Sequence, residues 1–334
     1  MRTSRLPPIV PTAGSPMRIL LVKTSSLGDV IHNLPVVSDL RRSFPEARID
    51  WCVEEAFADV PSMHPGVGQV IPVALRRWRK NLGGLATWRE MRDFRRRIGE
   101  TRYDVVLDSQ GLLKSALIAR QAQGRRCGYA AEAAREPLAA RFYDATFVIP
   151  RHVHAVQRNR WLAAAVFEYP LDLPLDYGIA APVSALSWLP TGPLAVLLTA
   201  TSRDDKLWDE RHWCAVGRAL LARGLTPVLP SGHALERQRA ERLAAAVVGS
   251  VVAPPLRLPQ VAALIARASL AIGVDTGLAH LAAALRVPVL ALYIATDPAL
   301  TGVCGTGFVR NLGGAGTPPS VQEVLTVAAQ ALRA

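Results

Sequence analysis

Short apolar runs alternate with amphipathic segments along almost the whole chain. Runs rich in valine, isoleucine and leucine are typical of strands in a parallel sheet, and apolar residues three or four positions apart are typical of helices packed against it. The predicted strands are residues 17–23, 48–53, 69–73, 103–108, 125–129, 194–199, 226–230, 251–253, 269–273 and 287–293. The predicted helices are residues 29–43, 84–99, 111–122, 153–168, 209–223, 233–247, 259–267, 277–285 and 320–333. This alternation predicts an α/β protein built from βαβ units.

The pattern restarts after residues 169–193, which contain five prolines and no helical period. A segment of this kind interrupts helices and strands, so we predict two Rossmann-like domains joined by a linker. The predicted segments are a flexible N-terminal extension (1–16), a first domain (17–172), the linker (173–193), a second domain (194–318) and a C-terminal helix (319–334). Two such domains enclose a cleft, with ligands at the carboxyl ends of the strands.

The chain is strongly basic, with 39 lysine and arginine residues, 27 aspartate and glutamate residues and a formal net charge of +12. Much of this charge lies in residues 76–97, which hold nine basic residues against Glu90 and Asp93. This segment is either a solvated helix face or a surface for polyanions such as nucleic acid, a phosphorylated glycolipid or anionic lipid headgroups. Trp78 and Trp88 within it suit a membrane interface.

Several classes of protein are disfavoured by missing patterns. The four cysteines are scattered, with no CxxC pair and no zinc-like Cys/His spacing, which predicts reduced thiols in a cytoplasmic protein. No apolar run approaches the roughly 20 residues of a transmembrane helix, and residues 1–16 lack the apolar core of a signal peptide. The absence of GxGxxG after the first strand, of a P-loop and of GxSxG disfavours dehydrogenases, P-loop NTPases and hydrolases.

The first of four polar strand-to-helix junctions is KTSSLGDVIH, residues 23–32, in which Asp29 begins a helix. A carboxylate at this position is an ordinary helix cap. Ser25 and Ser26 also offer capping hydroxyls, which leaves Asp29 available for chemistry. His32 is either a neighbour of Asp29 on the same helix face or a core residue.

The second and third junctions are VLDSQGLLKSA (106–116) and LLTATSRDDKLW (197–208). The polar side chains that they offer are Asp108, Gln110, Lys114, Thr201, Ser202, Arg203 and Lys206. The second junction is explained by capping and a surface lysine, or by a pocket for a polar ligand. The third is either a phosphate or pyrophosphate cradle or a solvated turn in which its cations pair with neighbouring aspartates.

The fourth junction is LAIGVDTGLAHLAAAL, residues 270–285, where an apolar strand ends at Asp275. Thr276 and Gly277 then open a helix whose first N–H groups point beyond the strand end. Hydrogen bonding and the helix dipole together favour a diphosphate at such a position. His280 lies four residues after Thr276 and shares its helix face, although an isolated histidine is usually a core or surface residue.

Together the four junctions resemble the ADP-heptose:lipopolysaccharide heptosyltransferases, glycosyltransferase family 9. The resemblance covers about residues 17–330 and rests on SSLGDVIHNLPVVSDL, DSQGLLKSALIAR, TATSRDDKLWDERHW and VDTGLAHLAAAL. The first and third motifs favour the heptosyltransferase I members over heptosyltransferase II. The resemblance implies the GT-B fold, in which two Rossmann-like domains with parallel sheets face a central cleft.

The resemblance also implies an activity and its setting. The implied reaction is the inverting transfer of L-glycero-D-manno-heptose from ADP-heptose to the inner 3-deoxy-manno-octulosonate (Kdo) of Kdo2-lipid A. No cofactor and no essential metal are expected. The implied location is the cytoplasmic face of the inner membrane, with peripheral binding to an anionic membrane surface. We expect a monomer without a nucleic-acid partner.

By position, the resemblance assigns roles to individual residues. Asp29 matches the proposed general base, and Lys206 matches the lysine that contacts the donor phosphates. The other implied donor-binding residues are Lys23, Thr201, Ser202, Glu236, Asp275, Thr276, Gly277 and His280. The acceptor-binding candidates are Arg76, Arg77, Arg79, Lys80, Gln110 and Lys114. Ser202 stands where a threonine is expected and retains the hydroxyl.

Two alternatives remain open. One is another GT-B enzyme that uses a sugar nucleotide, such as heptosyltransferase II or III. The other is a non-catalytic nucleotide-binding protein held at membranes by residues 76–97.

Overall fold

The structure is a computed structural model that describes residues 16–333. It divides into two compact units, an N-terminal unit that ends at Gly178 and a C-terminal unit that begins at Ile179. The division lies within residues 173–193, which the sequence predicts to be a linker. Residues 1–15 of the predicted N-terminal extension lie outside the described residues.

The described residues of the N-terminal unit, 16–178, form six parallel strands and seven α-helices. The strands are β1 (Arg18–Val22), β2 (Arg48–Glu54), β3 (Val67–Val73), β4 (Arg102–Asp108), β5 (Gln123–Tyr129) and β6 (Ala145–Phe147). The helices are α1 (Leu27–Ile31), α2 (Leu34–Ser43), α3 (Asp59–Ser62), α4 (Leu75–Lys80), α5 (Leu85–Glu100), α6 (Leu113–Ala119) and α7 (Ala155–Phe167). The strand order in the sheet is β3-β2-β1-β4-β5-β6.

The C-terminal unit repeats this architecture, and its described residues form six parallel strands and five helices. The strands are β7 (Leu194–Leu198), β8 (Thr226–Leu229), β9 (Val251–Val252), β10 (Leu270–Val274), β11 (Val289–Tyr293) and β12 (Val309–Gly313). The helices are α8 (Glu210–Leu221), α9 (Ala234–Ala246), α10 (Leu258–Ala266), α11 (Gly277–Ala284) and α12 (Val321–Ala331). The strand order is β12-β11-β10-β7-β8-β9.

Both sheets have the same Rossmann-type order, which places a topological switch point between β1 and β4 in one unit and between β7 and β10 in the other. The loops after two such strands diverge and leave a crevice at the carboxyl edge of the sheet. The four polar junctions of the sequence follow these four strands. The topology therefore brings the first junction together with the second, and the third together with the fourth.

The strands at the switch points are apolar because helices cover both faces of each sheet. Four of the five residues of β1 are buried, and all five residues of β7 and of β10 are buried. Ile19 in β1 lies beside Ile49 of β2 and Val105 of β4. Polar side chains begin where the strands end, with Lys23 after β1 and Asp275 after β10.

The predicted α/β class with two parallel sheets is confirmed, and each predicted strand is present. The predicted continuous helix 29–43 is wrong, because α1 ends at Ile31 and α2 begins at Leu34. Pro35 lies in the first turn of α2, where its missing N–H is tolerated, and it could not continue a preceding helix. Helices α3 and α4 and the edge strands β6 and β12 were not among the predicted elements.

Candidate active site

The loop after β1 is held in shape by a buried glutamine. Gln110, in the loop after β4, accepts hydrogen bonds from the backbone N–H groups of Thr24 at 2.8 Å and Ser25 at 3.2 Å, and donates to the Ser25 carbonyl. The Asp108 carboxylate accepts a hydrogen bond from the backbone N–H of Gln110 at 2.8 Å, which fixes the loop that carries Gln110. Both ends of the Gln110 amide are therefore used within the protein. Its contact with an acceptor stays a prediction.

Asp29 combines a capping role with an ion pair. Its Oδ2 accepts the backbone N–H of Ser26 at 3.0 Å and the Ser26 hydroxyl at 3.3 Å, so the expectation that the serines leave Asp29 out of the cap is wrong. Arg135 donates to Oδ1 at 2.8 Å and to Oδ2 at 3.3 Å. The Asp29 side chain is 14% exposed. The side chain is therefore partly exposed at the cleft.

The surroundings of Asp29 keep it ionised. Burial opposes ionisation, but the positive charges of Lys23 and Arg135 and the N–H of Ser26 outweigh burial and lower the pKa of Asp29 from 3.8 to about 2. The carboxylate is thus charged at neutral pH and able to accept a proton. It is a weak base while Arg135 is paired with it, because a neighbouring positive charge favours the ionised form.

Lys23 is a buried cation at the same site. Its Nζ donates to the Ser109 carbonyl at 2.7 Å and to Asn159 Oδ1 at 3.2 Å. Desolvation lowers the pKa of Lys23 to about 8, although the charge of Asp29 opposes this change. Lys23, which the resemblance assigns to the donor, therefore lies in the N-terminal unit, where it lines the same small cleft as Asp29.

This cleft also contains two arginines that the sequence analysis missed, Arg135 and Arg158. Arg135 comes from the loop after β5, and Arg158 comes from α7 with its guanidinium 4.8 Å from the centre of the Tyr129 ring. Gly111, at φ +67°, lets the loops after β4 and β5 approach, since a Cβ there would lie 3.1 Å from Tyr129 and 3.4 Å from the Arg135 nitrogen. Arg135 could have been found from the sequence, because it follows a predicted strand whose carboxyl end lies at the same edge of the sheet as the ends of β1 and β4.

The remaining acceptor-binding candidates lie in two places. Lys114 joins the site, since its Nζ donates to the Ser25 hydroxyl at 2.9 Å. The basic residues of α4 are exposed at the surface: Arg76, Arg77, Arg79 and Lys80. Within residues 16–333, no hydrogen bond or ion pair joins α4 to Asp29. None of the helices in that range is long and apolar enough to cross a membrane.

Asp275, in the loop after β10, is bonded by residues of two other loops of the C-terminal unit. Lys206 Nζ lies 2.6 Å from Asp275 Oδ2, and the Thr296 hydroxyl donates to the same oxygen at 2.8 Å. The Thr201 hydroxyl donates to the Asp275 carbonyl at 2.9 Å. The loops after β7, β10 and β11 are thereby fixed together at the switch point. An ammonium has three donors, so Lys206 keeps donors for a ligand.

Helix α11 begins directly beside Asp275. Thr276 is its N-cap residue and makes no side-chain capping hydrogen bond. The N–H of Ala279 donates to the Thr276 carbonyl at 3.1 Å, whereas the N–H groups of Gly277 and Leu278 have no partner inside the helix. With the helix dipole, these two N–H groups favour an anion. His280 is buried in α11 at 5% exposure. The structure therefore places an anion-favouring helix end beside the Lys206 ammonium.

The other predicted donor residues lie in the loop after β7 and in the first turn of α9. Ser202 is exposed in the loop after β7. Arg203 forms an ion pair within that loop, as the solvated-turn alternative predicted, whereas Lys206 pairs with the carboxylate that follows β10. Glu236 accepts the backbone N–H of Gly232 at 2.6 Å and closes the turn before α9.

Features outside these two sites add no further candidates. A surface hollow of about 750 Å³ lies beside α12, lined by Arg223, Gln322, Leu325, Thr326, Ala329, Gln330 and Arg333. None of the predicted site residues lines it. The part of the chain that the structure describes contains no group of three or more His, Cys, Asp or Glu residues that could hold a metal ion.

The two matching sheets, each with polar residues at its switch point, define a two-domain α/β protein of the GT-B class. The profile of glycosyltransferase family 9 (heptosyltransferase) matches residues 91–323. The chain belongs to this family and is a glycosyltransferase, as the sequence motifs predicted.

Individual relatives agree with this assignment. The chain is 46% identical over 297 residues to lipopolysaccharide heptosyltransferase 1 of Pseudomonas aeruginosa, covering 88% of this chain and 83% of the relative. It is similar to the solved structure of the E. coli heptosyltransferase WaaC with ADP, with a TM-score of 0.85, 41% identity and coverage of 95% of this chain and 99% of that chain. The structure of WaaC with ADP-2-deoxy-2-fluoro heptose gives a TM-score of 0.83 at 40% identity and the same coverage.

Proposed function

We propose that the chain transfers L-glycero-D-manno-heptose from ADP-heptose to the inner Kdo of Kdo2-lipid A in lipopolysaccharide biosynthesis, with inversion and without a metal ion or cofactor. The family and the 46% identity to a lipopolysaccharide heptosyltransferase 1 support heptose transfer. The ADP and ADP-2-deoxy-2-fluoro heptose of the similar WaaC structures support an ADP-sugar donor.

The observation that carries the proposal is the cluster around Asp275. When heptose leaves ADP, negative charge grows on the diphosphate. The ammonium of Lys206, 2.6 Å from Asp275, lies beside the first turn of α11, and together they supply a cation and N–H donors for that charge. The Thr296 hydroxyl donates to the same Asp275 oxygen that Lys206 contacts. The further donor contacts that we propose are Thr201, Ser202, Glu236, Thr276, Gly277 and His280.

Asp29 is the general base in this proposal. An inverting transfer needs a base that takes the proton of the attacking acceptor hydroxyl as the bond to ADP breaks. A positioned carboxylate contributes about 10²–10⁴-fold to such a step. Asp29 is ionised, is fixed by Ser26 and Arg135, and is partly accessible, which are the properties that the role requires.

The positive charges of Lys23 and Arg135 both lower the basicity of Asp29, and Arg135 is the one of the two that forms an ion pair with it. While Arg135 and Asp29 are paired, Asp29 has a pKa of about 2 and is a weak base. Kdo carries a carboxylate of its own, which competes for the Arg135 guanidinium when the acceptor binds. Drawing this positive charge away from Asp29 raises its pKa and makes it a better base at the moment of transfer.

The remaining polar residues of the N-terminal unit divide into two groups. Gln110 uses both ends of its amide on the backbone, and Lys23 donates to the backbone and to Asn159, so we assign both residues to holding the site in shape. Lys114 and the basic residues of α4 are assigned to anionic groups of the acceptor. Because that acceptor is lipid-linked, the proposed partner is an anionic membrane surface, at the cytoplasmic face of the inner membrane and with the protein as a monomer.

Titration and product analysis together test this function. Isothermal titration is expected to show binding of ADP and no binding of NAD. Incubation with ADP-heptose and Kdo2-lipid A is expected to yield a lipid product heavier by one heptose, detected by mass spectrometry. Absence of ADP binding, or recovery of unmodified acceptor from folded protein, would count against the proposal.

A further inference from the structure

The corner between α4 and α5 exposes large apolar side chains in a short stretch of chain. Leu82 is 55% exposed, Leu85 is 77% exposed and Trp88 is 57% exposed. We call residues 82–88 the apolar corner. Other exposed large apolar residues within residues 16–333 are spread singly along the chain, and Trp88 is the one aromatic residue among them. Contiguous apolar patches are rarely exposed to water without a function, whereas isolated surface leucines are common.

The apolar corner is an ordered part of the fold. The indole N–H of Trp88 donates to the Leu82 carbonyl at 2.8 Å, and the N–H of Gly84 donates to the Asn81 carbonyl at 3.2 Å. Trp78, which the sequence suggested as a second interfacial aromatic, is instead buried at 6% exposure. The corner is therefore held in a fixed shape with its apolar side chains outward.

Helix α5 separates its buried residues from its exposed ones. Thr87, Phe94 and Ile98 are buried and lie on one face. At about 100° per residue, Leu85 lies about 160° from Thr87, on the opposite face, and Trp88 lies about 100° from Thr87, at the edge of that face. The same outer face continues with the arginines Arg89, Arg92 and Arg96. The helix thus presents an apolar end followed by a row of cations.

The cations around the apolar corner differ in their pairing. Arg77 pairs with Glu55 and Glu90, and Arg96 pairs with Asp93 and Glu100. Within the described range 16–333, no carboxylate pairs with the four other nearby cations, Arg79, Lys80, Arg89 and Arg92. Unpaired cations that flank exposed leucine and tryptophan match the charge and polarity of an anionic lipid surface.

We infer that the apolar corner inserts into the lipid surface, with Leu82, Leu85 and Trp88 among the acyl chains and the flanking cations at anionic headgroups. This inference rests on the proposed function, because a lipid-linked acceptor requires an enzyme that works at a membrane. It adds a specific apolar contact to the electrostatic attraction of the basic segment. The two contributions respond differently to salt, since about 1 M salt screens charges beyond about 3 Å and leaves apolar insertion in place.

The test is sedimentation of the full chain with vesicles made of equal parts of phosphatidylcholine and phosphatidylglycerol. The insertion variant is Leu82→Ser/Leu85→Ser/Trp88→Ser, and Leu171→Ser/Val248→Ser is the matched control at exposed apolar positions elsewhere. We expect the insertion variant to bind at least about 30-fold more weakly, because each side chain gives up its transfer from water. We expect the control to bind like the wild type.

The charged flank is tested with Arg89→Gln/Arg92→Gln. This variant is expected to bind about fivefold more weakly per lost charge at low salt and equally at high salt. Acyl chains carrying bromine are expected to quench tryptophan fluorescence in the wild type, and Trp88→Phe is expected to remove most of that quenching. This measurement reports insertion even if the triple variant is poorly folded.

Three outcomes would overturn the inference. The first is that the wild type does not bind vesicles. The second is that the insertion variant and the wild type bind equally. The third is that the wild type loses all of its binding in high salt. Transfer to a deacylated, water-soluble acceptor separates these failures from failure of the proposed function. Unchanged transfer to that acceptor by the insertion variant is expected. A loss of that transfer with normal vesicle binding would assign the corner to the acceptor and contradict insertion.

Discussion

Replacing Asp29 with asparagine tests the general base while keeping most of the local structure. The amide oxygen still accepts the N–H of Ser26, which Asp29 accepts at 3.0 Å, but the side chain cannot take up the acceptor proton. We expect kcat to fall about 10²–10⁴-fold, the usual contribution of a positioned base. ADP binding is expected to stay unchanged, because the residues that we assign to the donor phosphates lie in the C-terminal unit.

The structure also sets the expected effect on stability. The pKa of Asp29 lies at about 2 instead of 3.8, which corresponds to roughly 2–3 kcal/mol in favour of the ionised form. Arg135 is 43% exposed and is rehydrated in the variant, so we expect a smaller loss of about 1–2 kcal/mol in the free energy of unfolding. Because the pKa is lowered on folding, this contribution is complete above about pH 4 and is lost as the pH falls toward 2.

The assay compares initial rates of transfer and urea unfolding curves for Asp29→Asn and a matched control, Asp144→Asn. Asp144 has the same kinds of contact, an ion pair with Arg126 at 2.6 Å and a backbone N–H accepted at 2.9 Å. The control is expected to lose stability and keep the wild-type rate. A folded Asp29→Asn variant that binds ADP and transfers at more than about one tenth of the wild-type rate would refute the base assignment. Equal loss of activity in both variants would attribute the effect to stability.

Four further predictions concern the donor site, Arg135 and metals. Lys206→Gln is expected to lower kcat about 10²–10³-fold, while Arg203→Gln, which alters a cation paired within its own loop, keeps most of the rate. Thr296→Val removes the 2.8 Å hydrogen bond to the donor-site carboxylate and is expected to lower kcat/KM about tenfold; an unchanged value would exclude a positioning role. Arg135→Gln is expected to raise the pKa of Asp29 and move the acidic limb of the kcat/KM profile to higher pH; an unmoved limb would contradict the pairing argument. Treatment with EDTA is expected to leave transfer unchanged, and loss of transfer restored by a divalent cation would contradict metal independence.

The central strands could be predicted from the sequence because burial on both faces imposes continuous apolar runs. The ends of β1 and β10 differ from the predicted strands by only one residue at each end. The edge strand β12 escaped prediction because only Leu312 of its five residues is buried. Pro35 indicates a break before α2, but the amphipathic pattern continues across it and therefore predicted one continuous helix.

The candidate site was predictable in outline but not in its pairings. Asp275 and Lys206 were singled out from their places after two strands, yet their ion pair spans 69 positions and depends on how the strands are ordered in the sheet. Arg135 lies 106 positions from Asp29 and was missed for the same reason. We expected Gln110 to contact the ligand because it is a polar residue at the end of a strand. The structure shows that a buried amide at such a place also satisfies the backbone of the neighbouring loop.

The most direct test of the account is mass spectrometry of the lipid after wild-type protein and Asp29→Asn are each incubated with ADP-heptose and Kdo2-lipid A. The account predicts that the wild type adds one heptose to the acceptor and that Asp29→Asn, which still binds ADP, leaves the acceptor almost unmodified. Unmodified acceptor with the folded, ADP-binding wild type would contradict the proposed reaction. Equal product from both proteins would contradict the role of Asp29 in it.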